Sequence, residues 1–133
     1  MKQPLSLAAA CASLTELWSP RVLARVNDQY LKVARVLGEF PWHTHDGEDE
    51  LFLVLQGALT IGREDVDGGP VTLHPGEVFV VPKGVRHNTS AAEETWIALV
   101  ETVTTRHTGS ELTDLTRGLD EQLRPVDLQR LVE

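Results

Sequence analysis

Residues 42 to 57 read WHTHDGEDELFLVLQG. Two histidines one residue apart lead into Asp46-Gly47, then Glu48, Asp49 and Glu50, and then a dense apolar run. A β-strand sends the side chains at i and i+2 to one face, so His43 and His45 project together while Trp42 and Thr44 point away. Asp46-Gly47 is a turn signal. Beyond it, alternation places Glu50, Phe52 and Val54 on one face and Leu51, Leu53 and Leu55 on the other. A turn over Asp46 to Asp49 would therefore return Glu50 beside the two imidazoles. Both faces of the later part are apolar, as expected where a second sheet or a subunit covers the outside.

The texture around this stretch is all-β. Short runs rich in Val, Leu, Ile and aromatics predict strands at Val22 to Asn27, Tyr30 to Leu37, Phe40 to His45, Glu50 to Gln56, Ala58 to Arg63, Val71 to Leu73, Glu77 to Val81, His87 to Ser90 and Thr95 to Glu101. Asn27-Asp28, Gly38, Gly57, Asp67-Gly68-Gly69-Pro70, Pro75-Gly76 and Pro82-Lys83-Gly84 separate them with turn chemistry. Many short strands with regular turns imply a sandwich or barrel over about 21–103.

The ends read differently. Leu7, Cys11, Leu14 and Trp18 recur at helical spacing, so residues 5–18 are expected to form a helical segment, and Leu112, Leu115 and Leu119 predict a helical tail over about 110–132. The 133 residues fit one domain. Twelve Lys and Arg against twenty Asp and Glu give a net charge of -8, which repels phosphate backbones, so no nucleic-acid partner is expected. The longest apolar runs fall far short of the ~20 residues of a membrane helix. With the single Cys11 no intramolecular disulfide can close, and the expected residence is cytoplasmic.

Two imidazoles and a carboxylate need a further ligand from elsewhere. His87, just beyond the Pro82-Lys83-Gly84 turn, would complete a set of three imidazoles and one carboxylate suited to a divalent transition metal with positions left open. At this point the chain resembles the cupins. Their first motif runs from a glycine through His-x-His, three or four residues, Glu, six residues and a second glycine; Gly38, His43, His45, Glu50 and Gly57 supply it. Their second, a glycine, five residues, Pro-x-Gly, two residues and His, is met by Gly76, Pro82, Gly84 and His87. Gly38 stands one residue nearer His43 than the pattern asks. Ala91 replaces a terminal asparagine, which questions local geometry more than metal binding.

The resemblance covers about Leu37 to Val100. It implies a cupin double-stranded β-helix (jelly-roll) barrel with short N- and C-terminal helices. It also implies a metal site of His43, His45, Glu50 and His87 holding Zn, Ni, Fe or Mn. Phe40, Phe52, Val54, Trp96, Ala98 and His107 are candidate pocket residues, and a homodimer is expected from the family and from the apolar face at Leu51, Leu53 and Leu55. The functions implied are a metalloenzyme acting on a small polar metabolite, by isomerase, epimerase or Fe-dependent dioxygenase chemistry, or a non-catalytic cupin that binds or senses a metal or small molecule. Fold alone does not choose between them.

Several residues also have plain structural readings. Asp46, Glu48 and Asp49 lack calcium-loop spacing and read as a solvated turn. His74 precedes Pro75-Gly76 and reads as surface. His107 reads either as surface or as pocket rim. Lys32 and Arg35 reach an anionic substrate only if their strand turns them inward, and an exterior placement competes for both.

Overall fold

Every pairing of named strands among the described residues is antiparallel, and three of the six pass through one strand. The computed structural model describes residues 2–64, 66–109 and 113–126. The elements are α1 (Leu7–Ser13), β1 (Arg21–Val26), β2 (Gln29–Glu39), β3 (Glu50–Gln56), β4 (Leu59–Arg63), β5 (Val71–Leu73), β6 (Val78–Val81), β7 (His87–Thr102) and α2 (Leu119–Gln122). The strands run β1-β2-β7-β3-β6, with β4 joining β7 to β5. The all-β expectation with short terminal helices holds.

Three boundaries are corrected. Phe40 to His45 is no strand: only His43 makes a bridge, exchanging two 2.9 Å backbone hydrogen bonds with His87. Pro41 has no N–H to continue the ladder, and beyond it only the Phe40 N–H of this stretch reaches β7, donating to the Thr89 carbonyl at 2.8 Å. The expected strands at His87 to Ser90 and Thr95 to Glu101 are one 16-residue strand, β7. The helical ends are shorter than their periodicity suggests. Ser6 caps α1 by accepting the Ala9 N–H at 3.1 Å, but the chain is extended again by Leu14, and Trp18 takes a positive φ of 57°. In the tail, α2 is one turn long, and residues 110–112 and 127–133 lie outside the described residues.

The inner face carries Ala34, Val36, Phe52, Val54, Ile97 and Leu99, all buried in one cluster. Each large side chain among them contributes ~1.5–3 kcal/mol by leaving water. On the outer face α1 lays Ala10, Cys11 and Leu14 over Val33 and Ala98, with Leu53, Leu55 and Trp96 packed against them. Part of the apolar outer face is thus covered within the chain. Burial pushes the Cys11 thiol up to about 12, so it is a packing residue and not a nucleophile.

A straight strand would set His87 and Glu101, the fourteenth residue after it, ~46 Å apart. Instead both reach Glu50: His87 Nε2 lies 3.6 Å from Glu50 Oε1, and Glu101 is the direct cross-strand partner of Glu50. The strand therefore bends. Its corner falls at Ala92 to Glu94, where the register with β2 jumps from Gly38↔Ala91 to Val36↔Thr95, a bulge that adds local twist. Thr95 locks the corner, its hydroxyl lying 3.1 Å from the Ala58 carbonyl and 3.2 Å from the Ala58 N–H.

Gly57 sits against that lock. Its φ is +89°, and a Cβ there would meet the Thr95 side chain and stand 3.0 Å from Thr95 Cα. Gly57→Ala is expected to destabilise the fold by ~1–3 kcal/mol, read as a lower denaturation midpoint at unchanged slope. Gly47→Ala, with nothing within 4 Å of its Cβ, is expected to stay within about 0.5 kcal/mol of the parent.

Candidate metal centre

His43, His45, Glu50 and His87 come together, each offering one ligand atom and all of these within 4.8 Å of one another. They arrive from three places: the His43 bridge and the residues after it, the start of β3, and the start of β7. The second motif clamps the first, because the Gly84 N–H donates to the His45 carbonyl at 2.8 Å. The Lys83 N–H donates to Asp49 Oδ1 at 2.9 Å, which makes Asp49 part of the turn. Asp46 and Asp49 are exposed, in keeping with their reading as a solvated turn.

The imidazoles are oriented from behind. His43 Nδ1 lies 2.8 Å from the Pro41 carbonyl and His87 Nδ1 lies 2.9 Å from the Val85 carbonyl. A carbonyl only accepts, so each Nδ1 carries the proton and each Nε2 presents a lone pair. Nε2 of His43, His45 and His87 are all buried without a hydrogen-bond partner. The nearest carboxylate contacts, His45 Nε2 to Glu50 Oε2 at 3.4 Å and His87 Nε2 to Glu50 Oε1 at 3.6 Å, are long for hydrogen bonds. Three desolvated Nε2 atoms facing a buried carboxylate form a donor set that a divalent transition metal would satisfy.

The electrostatics agree. Burial, with the neighbouring His87, lowers His43 to about 4, so it is neutral and able to ligate at pH 7. Burial also disfavours charge on His45, but Glu50 outweighs it and raises the imidazole. Burial works against an ionised Glu50, yet the neighbouring Glu101, His45 and His87 side chains hold it well below the usual range. Glu101 goes the other way, raised first by burial and then by the Glu50 charge opposite. Like charges directly across a strand pair repel, so each of the two carboxyls disfavours ionisation of the other.

Lys32 is turned inward and fully buried, its ammonium 2.8 Å from Glu101 Oε1 and donating to Gln122 Oε1 at 2.6 Å. Gln122 Nε2 donates to the Arg117 carbonyl at 2.8 Å, and the Arg117 N–H donates to His107 Nε2 at 2.6 Å. Arg35 lies outside, paired with Glu94 at 2.6 Å. Gly109 rests on the backbone of Thr44, between the first two histidines, so closely that no Cβ would fit.

A cavity of about 430 Å³, counting the open space at its mouth, adjoins His43 and Glu50. Phe40, Phe52 and His107 line it, and His107 is buried. Val54, Trp96 and Ala98 do not line it. Val54 is packed in the inner cluster, while Trp96 and Ala98 face α1 on the other side of the sheet. Odd positions of β7 are buried on both sides of the corner, from His87 to Ala91 and from Thr95 to Glu101, while Glu93 is exposed. Sequence reading does not assign Trp18 and Glu101 to the cavity, and it allows Lys32 either an inward or an exterior placement. For Glu101 the signal was available: it lies an even number of residues from His87.

Comparison with known proteins accords with this geometry. Residues 35–103 match the family model described as a cupin domain. The uncharacterised protein YdbB of Bacillus subtilis is 32% identical over 101 residues, 76% of this chain and 88% of that protein. The crystal structure of a cupin-2 domain containing protein from Shewanella frigidimarina is 43% identical and superposes with a TM-score of 0.64, covering 68% of this chain and 86% of that one. A Neisseria meningitidis protein structure, 28% identical, gives 0.67 over 75% of this chain and 99% of that one.

His107 supplies a pH test. Burial lowers it to about 4 from an ordinary 6.5, so its stabilising contribution is complete above pH 6.5 and lost as the pH falls toward 4. Protonation would also abolish the acceptor for the Arg117 N–H. The thermal midpoint is expected to fall between pH 7 and pH 4.5, and to fall less in His107→Gln, as measured by calorimetry at matched ionic strength.

Proposed function

The chain belongs to the cupin family, and on that premise we propose that it binds a divalent transition metal through His43, His45, Glu50 and His87 and uses it on a small molecule held in the adjoining cavity. One observation carries this reading: three buried Nε2 atoms without partners converge with a Glu50 oxygen. A metal with open positions would supply Lewis acidity or, as iron, access to dioxygen chemistry. The chain's own residues do the rest. The Pro41 and Val85 carbonyls hold two imidazoles in the ligating tautomer, Glu101 stands opposite Glu50 and binds Lys32, and Phe40 and His107 wall the cavity beside His43.

A second reading, a cupin that binds or senses its ligand without turnover, has its own support. The ionisable groups at the cavity besides the four ligands are already engaged, Glu101 by Lys32 and His107 by the Arg117 N–H. A general acid or base would then have to be a bound water. Anaerobic reconstitution with Fe(II) followed by an oxygen-uptake screen separates the oxygenase branch from this one.

The metal assignment itself is tested by elemental analysis of protein purified without chelator. The parent is expected to carry metal near stoichiometry, and His45→Ala and His87→Ala to lose affinity by at least ~10-fold, since even groups that only orient a ligand cost that much. Unchanged metal content in both folded variants would sink it.

Homodimerisation is proposed on the edge strand β6, where Val78 and Val80 are 57% and 45% exposed. Sedimentation is expected to give a dimer; a monomer at all concentrations would contradict it.

A further inference from the structure

Resting on the metal reading above, we infer that the cavity takes a small, uncharged, planar ring compound of the phenol class, its oxygen turned toward the histidine and glutamate cluster. Two observations carry this. The first is the lining. Away from the ligand end the walls are Ala34, Val36, Phe52, Ile97 and Leu99 on the sheet, closed by the rings of Trp18 and Phe40. The chain has only three Phe, three Trp and one Tyr, yet Trp18, Phe40 and Phe52 all line this one space, joined by the His43 and His107 rings.

These rings are set at mixed angles. Trp18 and Phe40 lie 4.9 Å apart at 36°, Phe40 and His107 5.7 Å apart at 42°, and Phe40 meets His43 edge-on at 5.5 Å. A flat guest would find both faces and edges to pack against, the arrangements aromatic pairs prefer. A sugar would leave its hydroxyls unpaired along the walls, because Thr89 is the only hydroxyl side chain lining the cavity among the described residues.

The second observation is charge. No Lys or Arg lines the cavity among the described residues, while Glu50 and Glu101 both do. The nearest buried cation, Lys32, is held by Glu101 and Gln122. A phosphate or a carboxylate carried on the body of the guest would meet acidic neighbours and no counter-ion. The guest is therefore neutral along its length and polar only at the end that faces the ligands. This departs from the polar metabolite that the sequence suggests.

The test uses the full chain loaded with Co(II), with 4-methylphenol, cyclohexanol and glucose 6-phosphate as probes. Tryptophan fluorescence reports cavity filling through Trp18, and the visible Co(II) spectrum reports the oxygen end. The expected result is saturable quenching and a spectral shift with 4-methylphenol, at least ~10-fold weaker binding of cyclohexanol, and no binding of the sugar phosphate. Ala34→Leu fills the cavity without touching a ligand residue. It is expected to keep its Co(II) stoichiometry and to weaken 4-methylphenol by at least ~10-fold; the smaller Ala34→Val gives a graded loss if the leucine variant does not fold.

Sugar phosphate binding more tightly than 4-methylphenol, cyclohexanol binding equally well, or a folded Ala34 variant with parental affinity would each overturn the inference. The metal reading fails separately, if the parent takes up no Co(II). In that case quenching of the metal-free protein by 4-methylphenol still supports the ring site, and its absence overturns it.

Discussion

A carboxylate that is 2% exposed has to be compensated, and Glu50 sets the terms for everything near it. Lys32, the obvious counter-ion, is bound to Glu101, the residue opposite Glu50 in the ladder. The two acids divide their labour: one holds the ammonium, the other faces three imidazoles. Removing either partner of such a buried pair strands the other at a cost of ~3–5 kcal/mol, whereas the set as a whole is self-consistent. The inner end of the barrel is an electrostatic assembly as much as an apolar one.

What makes the assembly possible is the corner in β7. Strand alternation decides which face a residue takes, but it cannot bring His87 and Glu101 to the same carboxylate. The bulge at Ala92 to Glu94 does that, and the Gly57 and Thr95 contact holds it. The polar run of Ala-Glu-Glu is where the chain turns through solvent, so the same residues that look like the end of a strand are its bend.

This explains how much was legible. The four candidate ligands could be read because their spacing around two turns is local, and the parity of β3 placed Glu50 and Phe52 correctly. Trp96 and Ala98 were misplaced because the two halves of β7 were read as separate strands, so His87 did not fix which face of the second half points inward. Phe40 to His45 has the composition of a strand, yet Pro41 denies it a ladder and leaves one bridge, at the residue where it is needed. Lys32 was ambiguous because a buried ammonium is intelligible only once Glu101 and Gln122 are known to face it, and those contacts span 69 and 90 residues of sequence. The terminal helices were overestimated because leucine spacing says which face would be buried without saying where the chain is drawn away, as Leu17 is by its bridge to Arg35.

The contact between Gly109 and Thr44 reaches beyond packing. Chain that follows the barrel lies directly on the peptide between His43 and His45, so the histidine loop cannot open outward while that later segment is in place. The geometry of the first two candidate ligands is thereby tied to a residue more than sixty positions later that offers no ligand itself.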